Sequence, residues 1–63
     1  MTLVEAQQRY IDRVTDCHPG HAARVRRGAR RQLHTWAVAH GYDGAVVCRD
    51  ASDMARLQQA SDD

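Results

Sequence analysis

The chain is predicted to be all-α, a small three-helix domain with a long central helix and a short extended connector before helix three. Three observations predict this. Apolar residues recur at helical spacing over about residues 3–16 and again over about 20–40. Helix-start and helix-stop residues bracket both segments. A third narrow apolar stripe, Met54 and Leu57, follows within about residues 52–60. At 63 residues the chain makes a single small helical domain, 1–63, with a small core.

The first helix opens on Thr2, with Glu5 three positions later able to return a bond to the cap's own N–H. Leu3, Gln7, Tyr10, Ile11 and Val14 form its inner stripe, with Val4 at the edge. Glu5, Arg9, Asp12, Arg13 and Asp16 fall on the solvated side, with Glu5 and Arg9 a favourable i,i+4 pair. Cys17-His18-Pro19-Gly20 breaks the helix, and Pro19 also suits the first position of the next one. Ala22, Val25, Ala29, Leu33, Trp36, Ala37 and His40 then gather on one side of helix two. Trp36 is expected in the core. Gly28 sits in mid-helix, where it marks a close helix crossing or a kink, and Gly41 suits a left-handed helix end. Gly41 to Gly44 reads as a loop, and Ala45 to Cys48, short and β-branched, as an extended connector. Asp50 or Ser52 is the expected cap of helix three, and Ser61-Asp62-Asp63 a frayed tail. Val46, Val47 and Leu57 join the expected core formers.

Charge is segregated. Between His18 and Tyr42 there are five arginines and no acid, whereas the remainder sets four arginines against eight acidic residues, for a net charge of +1. Arg24, Arg27, Arg31 and His34 point away from the apolar stripe of helix two, and Arg26 and Arg30 flank it. An arginine row of this kind follows phosphates or docks on an acidic protein surface. All nine basic residues are arginine, which fits a GC-rich genome of actinobacterial or phage type.

Other chemistry is weaker in this chain. Cys17 and His21 form one plausible metal-ligand pair, and His40 and Cys48 a poor second, so no metal is expected and zinc on these four is the alternative. No nucleophile elbow or phosphate-cradling glycine loop occurs, and no cofactor or enzyme activity is expected. Asp43, Asp50 and Asp53 read as turn and cap residues. The absence of a long apolar run or a signal-peptide pattern points to a cytoplasmic protein without membrane contact, and the two cysteines to free thiols.

Leu33-x-x-Trp36-Ala37-x-x-x-Gly41-Tyr42, then Arg49, then Asp53-Met54, resembles the C-terminal DNA-binding domain of the actinobacterial H-NS-like nucleoid proteins, over about residues 33–57. The resemblance implies two helices joined by a loop with an Arg-Gly-Arg hook for the minor groove. The hook position reads Val47-Cys48-Arg49 here, so Arg49 alone matches. The sequence therefore predicts a small DNA-binding accessory protein. Arg24, Arg27 and Arg31 would lie on phosphates, with Arg26, Arg30 and His34 at the edges and Arg49 probing a groove. The alternative is a phage- or plasmid-type adaptor or inhibitor that docks its cationic helix on an acidic partner. A homodimer would suit the first role by doubling the phosphate contacts.

Overall fold

Thr2 starts the first helix as its position predicts. Its extended backbone precedes α1 (Leu3–Thr15), and its hydroxyl oxygen accepts from the Glu5 N–H at 3.2 Å. Glu5 answers differently from the expected box. Its Oε1 accepts from the Thr2 hydroxyl at 3.3 Å, so the carboxylate is turned to the cap and not to Arg9. The computed structural model describes residues 1–60, with side chains through residue 58. The expected frayed tail at Ser61-Asp62-Asp63 lies outside the described residues.

After Asp16 the chain turns through a 3-10 segment, Pro19–His21, in which proline takes the first helical position and His18 Nδ1 accepts from the Gly20 N–H at 3.0 Å. It runs straight into α2 (Ala22–Ala39), which spans about 27 Å at about 1.5 Å per residue. Gly41 ends α2 with φ of 83°, the left-handed geometry expected of it. Tyr42 N–H bonds back to the Ala37 carbonyl at 2.8 Å and Gly41 N–H to the Val38 carbonyl at 3.1 Å. These are the two bonds of a Schellman end. The Tyr42 ring closes the motif against Trp36, with ring centres 5.9 Å apart.

Helix three begins earlier than predicted, and the extended connector is not formed. Residues 45–48 are the first turn of α3 (Gly44–Ala60). The cap is Asp43, whose Oδ1 accepts from the N–H groups of Ala45 at 3.0 Å and Val46 at 3.3 Å. Neither Asp50 nor Ser52 caps, since both lie inside the helix. The β-branched pair Val46-Val47 disfavours helix by only a few tenths of a kcal/mol per residue. A side-chain cap and the burial of Val47, Cys48 and Ala51 on one face outweigh it. Among the described residues there is no strand.

The four residues between α2 and α3 fold these helices back into an antiparallel hairpin. His34 lies against Gly44, and the Cys48 thiol donates to the Arg30 carbonyl at 3.5 Å. Further from the turn, Arg26 shares a depression with Ser52 and Arg56. The chain thus forms an α-hairpin and not the near-perpendicular pair of a helix–turn–helix. α1 packs on both arms. Its Gln7 is buried and donates to the Val47 carbonyl at 3.3 Å, and Tyr10 bonds Ser52 through their hydroxyls at 3.3 Å.

The core is small and rich in alanine. Ala6, Ala29, Ala37 and Ala51 are buried beside Tyr10, Ile11, Leu33, Val47 and Cys48, with Leu3, Val14, Trp36 and Met54 packed at its edge. Two expected core formers are solvent-facing: Leu57 is 70% exposed and Val46 40%. With α3 starting at Gly44, both fall on its outer side. His40 also leaves the core, its ring stacking on Trp36 with centres 4.3 Å apart and its Nδ1 lying 2.8 Å from the Trp36 carbonyl.

Two glycines carry opposite expectations. Gly28 is exposed and a Cβ there would meet nothing within 4 Å, so it marks no close crossing. Gly28→Ala is expected to stabilise the fold by about 0.5–1 kcal/mol, raising the midpoint of a thermal melt by a few degrees. A Cβ on Gly44 would sit 2.5 Å from the His34 ring. Gly44→Ala is expected to cost about 1–2 kcal/mol, and most of that cost should vanish when His34→Ala is made with it. Circular-dichroism melts of the four variants check both expectations.

Candidate nucleic-acid interface

The candidate surface grows from the register of α2. Its inner positions Ala29, Leu33 and Ala37 are buried, which leaves Arg24, Arg27 and Arg31 on the outward face at three- and four-residue spacing. All three are exposed. Arg26 and Arg30 stand on the side facing α3. Together with Arg27, Arg31 and His34 they line one shallow depression along the helix. His34 keeps the edge position expected of it, with its ring resting against Gly44. The acid-free stretch of sequence thus becomes an acid-free helix, since α2 carries no Asp or Glu.

Arg49 is not on a loop. It lies in the second turn of α3, so the hook implied by the resemblance has no loop to carry it. The hairpin gives it a different place. Arg49, Ser52 and Arg56 line a groove whose other wall is Arg30, above the buried Cys48. Arg56 was not among the predicted site residues. It stands two helical turns after Arg49 and therefore on the same face. The spacing was visible, but only for a helix that includes both positions; a helix begun at residue 52 leaves Arg49 outside it.

Among the described residues, none of Arg24, Arg26, Arg27, Arg30, Arg31, Arg49 and Arg56 is held in an ion pair by a carboxylate. Arg13 is engaged instead by Gln32, which ties α1 to α2 on the opposite side of the hairpin. The seven arginines therefore present charge on α2 and on the adjoining groove that no ion pair holds, with Asp53 the carboxylate that lines the groove beside them.

The metal-ligand alternative does not assemble. Cys17 and His21 lie in the connection that leads into α2 and His40 at the far end of that helix, separated by its length. Cys48 is buried with its thiol committed to Arg30 O. Among the described residues no three His, Cys, Asp or Glu side chains come close enough to share a metal. Cys17 and the adjacent His18 bond the backbone and not each other. The thiol donates to the Val14 carbonyl at 3.3 Å and the imidazole accepts from Gly20. Among the described residues no helix is long and apolar enough to cross a membrane. No protein-family model, curated protein or solved structure matches the chain.

Burial pushes the Cys48 thiol above its ordinary pKa, and the Arg30 charge opposes that shift without cancelling it. The neutral thiol is thus favoured in the folded state. Its contribution to stability is present below the unfolded thiol's range, about 8.5, and is lost as pH rises through the higher folded value. Thiol labelling at neutral pH is expected to modify the partly exposed Cys17 quickly, and Cys48 at least tenfold more slowly, at the rate of opening of the hairpin. Mass spectrometry of the labelled peptides reads the two rates separately.

Proposed function

We propose that this chain is a small, non-enzymatic cytoplasmic protein that binds DNA by laying the outward face of α2 along the phosphate backbone. The observation that carries this reading is the row Arg24, Arg27 and Arg31 on one exposed helix face, without acidic neighbours on that helix and without ion pairs among the described residues. Guanidinium groups displace condensed counterions from a duplex, and each phosphate neutralised adds affinity that salt removes. Arg26, Arg30, Arg49 and Arg56 extend the positive surface beyond the helix crest. No base-reading element is assigned, and contacts of this type tolerate many sequences.

A protein partner is the second reading, and one residue favours it. Val38 is 56% exposed and continues the line of Arg27 and Arg31 two turns further along α2. An apolar side chain at the end of a cationic row suits an acidic protein surface with an apolar rim better than it suits a phosphate ribbon.

Fluorescence anisotropy with labelled duplex DNA at several salt concentrations separates the two. Wild-type binding is expected to weaken steeply with salt. Arg27→Ala with Arg31→Ala should lower affinity and reduce the slope of log K against log salt by about two. Val38→Ala should leave DNA affinity unchanged. Absence of binding even at low salt removes the DNA reading.

A further inference from the structure

We infer that the groove between α2 and α3 is a discrete site for a phosphate-class oxyanion, formed by Arg26 and Arg30 from one helix and Arg49, Ser52 and Arg56 from the other. The inference rests on the DNA reading only for the source of the phosphate. A backbone phosphodiester is one source, and free phosphate or a small phosphorylated molecule is another.

Three features set this groove apart from the open crest of α2. The first is convergence. Two depressions, of about 410 Å³ and 330 Å³, share Ser52 and Arg56; Arg30 and Arg49 line one and Arg26 lines the other. Guanidinium groups from two antiparallel helices thereby flank a common floor, whereas the crest arginines all radiate from a single helix. A planar guanidinium donates two parallel N–H bonds to a phosphate, and donors from opposite walls can bracket it.

The second is unrelieved charge. Four arginines share the groove with one carboxylate, Asp53. Among the described residues that carboxylate ion-pairs with none of them. The groove is left with a net charge of +3 on two half-enclosing walls, and a bound anion relieves the mutual repulsion.

The third is a hydroxyl pair set in the floor. Tyr10 is 4% exposed and its hydroxyl lies 3.3 Å from Ser52 Oγ. Either hydroxyl can donate in this pair, and the phenol is the more acidic of the two. Donation from Tyr10 to Ser52 leaves the serine proton free to bond an oxygen in the groove. Ser52 is thus not a helix cap but a hydroxyl braced from behind and presented between arginines.

The test is an NMR titration of the isotope-labelled full chain with sodium phosphate, against sodium chloride at matched ionic strength, followed by short duplex DNA. Phosphate is expected to shift the Ser52 amide and the Arg49 and Arg56 Nε–H signals saturably, while chloride does not. Arg49→Gln with Arg56→Gln should weaken phosphate binding at least tenfold, roughly the loss of one charge-assisted bond. Asp53→Asn should tighten it by about threefold. Circular dichroism confirms that these exposed substitutions leave the fold intact. Equal shifts at Arg24, Arg27 and Arg31, or shifts that chloride reproduces, would overturn the site and leave only diffuse charge. DNA binding without a local phosphate response would likewise remove the site while the proposed function stands. Saturable phosphate binding without DNA binding would keep the site, assign it to a small phosphorylated ligand and remove the proposed function.

Discussion

The reversal between α2 and α3 is the constraint on which everything else depends. Gly41 in left-handed geometry closes one helix, and Asp43 opens the next two residues later. Each end satisfies two of its orphan backbone groups within the turn, so four residues suffice to send the chain back on itself. A longer connector would let α3 swing away, and Arg49 and Arg56 would lose their places beside Arg30. Electrostatic character is therefore a product of turn chemistry as much as of arginine content.

Small side chains then decide how closely the helices pack. Ala37 and Ala51 are wholly excluded from solvent, and Ala6 and Ala29 nearly so. Methyl groups at these positions contribute little buried area each, and they let polar groups of neighbouring helices meet directly. Gln7 reaches a carbonyl of α3, and Cys48 a carbonyl of α2. Neither acceptor lies in the last turn of its helix, so each is a second bond on a carbonyl with a spare lone pair. The amide tie is worth about 1 kcal/mol, a large share of the stability of so small a domain, and the thiol, a weak donor, contributes less. They also fix the rotation of each helix, which an alanine core alone specifies poorly.

Much of this was legible in the sequence because it depends on local chemistry. The Thr2 cap, the Pro19 break, the buried stripe Ala29-Leu33-Ala37 and the Gly41 helix end each follow from a residue and its immediate neighbours. The third helix was harder to read for a physical reason. Val46-Val47 favours strand locally, and only the Asp43 side chain and the burial of Cys48 and Ala51 against distant helices reverse that preference. A helix read from residue 52 shows only Met54 and Leu57 as its apolar stripe, whereas the full helix adds Val47, Cys48 and Ala51, which carry the buried stripe through Met54 and turn Leu57 outward. The shorter helix also makes Ser52 a cap and leaves Arg56 outside the cationic set. The face of α2 needed no tertiary information, since its inner stripe already dictated where Arg24, Arg27 and Arg31 stand. The groove did, because no pattern within one helix shows which residues of another lie opposite.

The aromatic contacts at the hairpin's closed end have an optical consequence. Trp36 is the chain's one tryptophan, and its ring is stacked on His40 and, at longer range, on Tyr42. Protonated imidazole quenches indole emission, and loss of the left-handed turn would separate both neighbours from it. The chain thus contains an intrinsic fluorophore whose brightness and colour register whether the hairpin is closed. That signal arises at the opposite end of α2 from Arg24 and Arg26, so the opening of the turn can be followed without a dye and apart from events at those arginines.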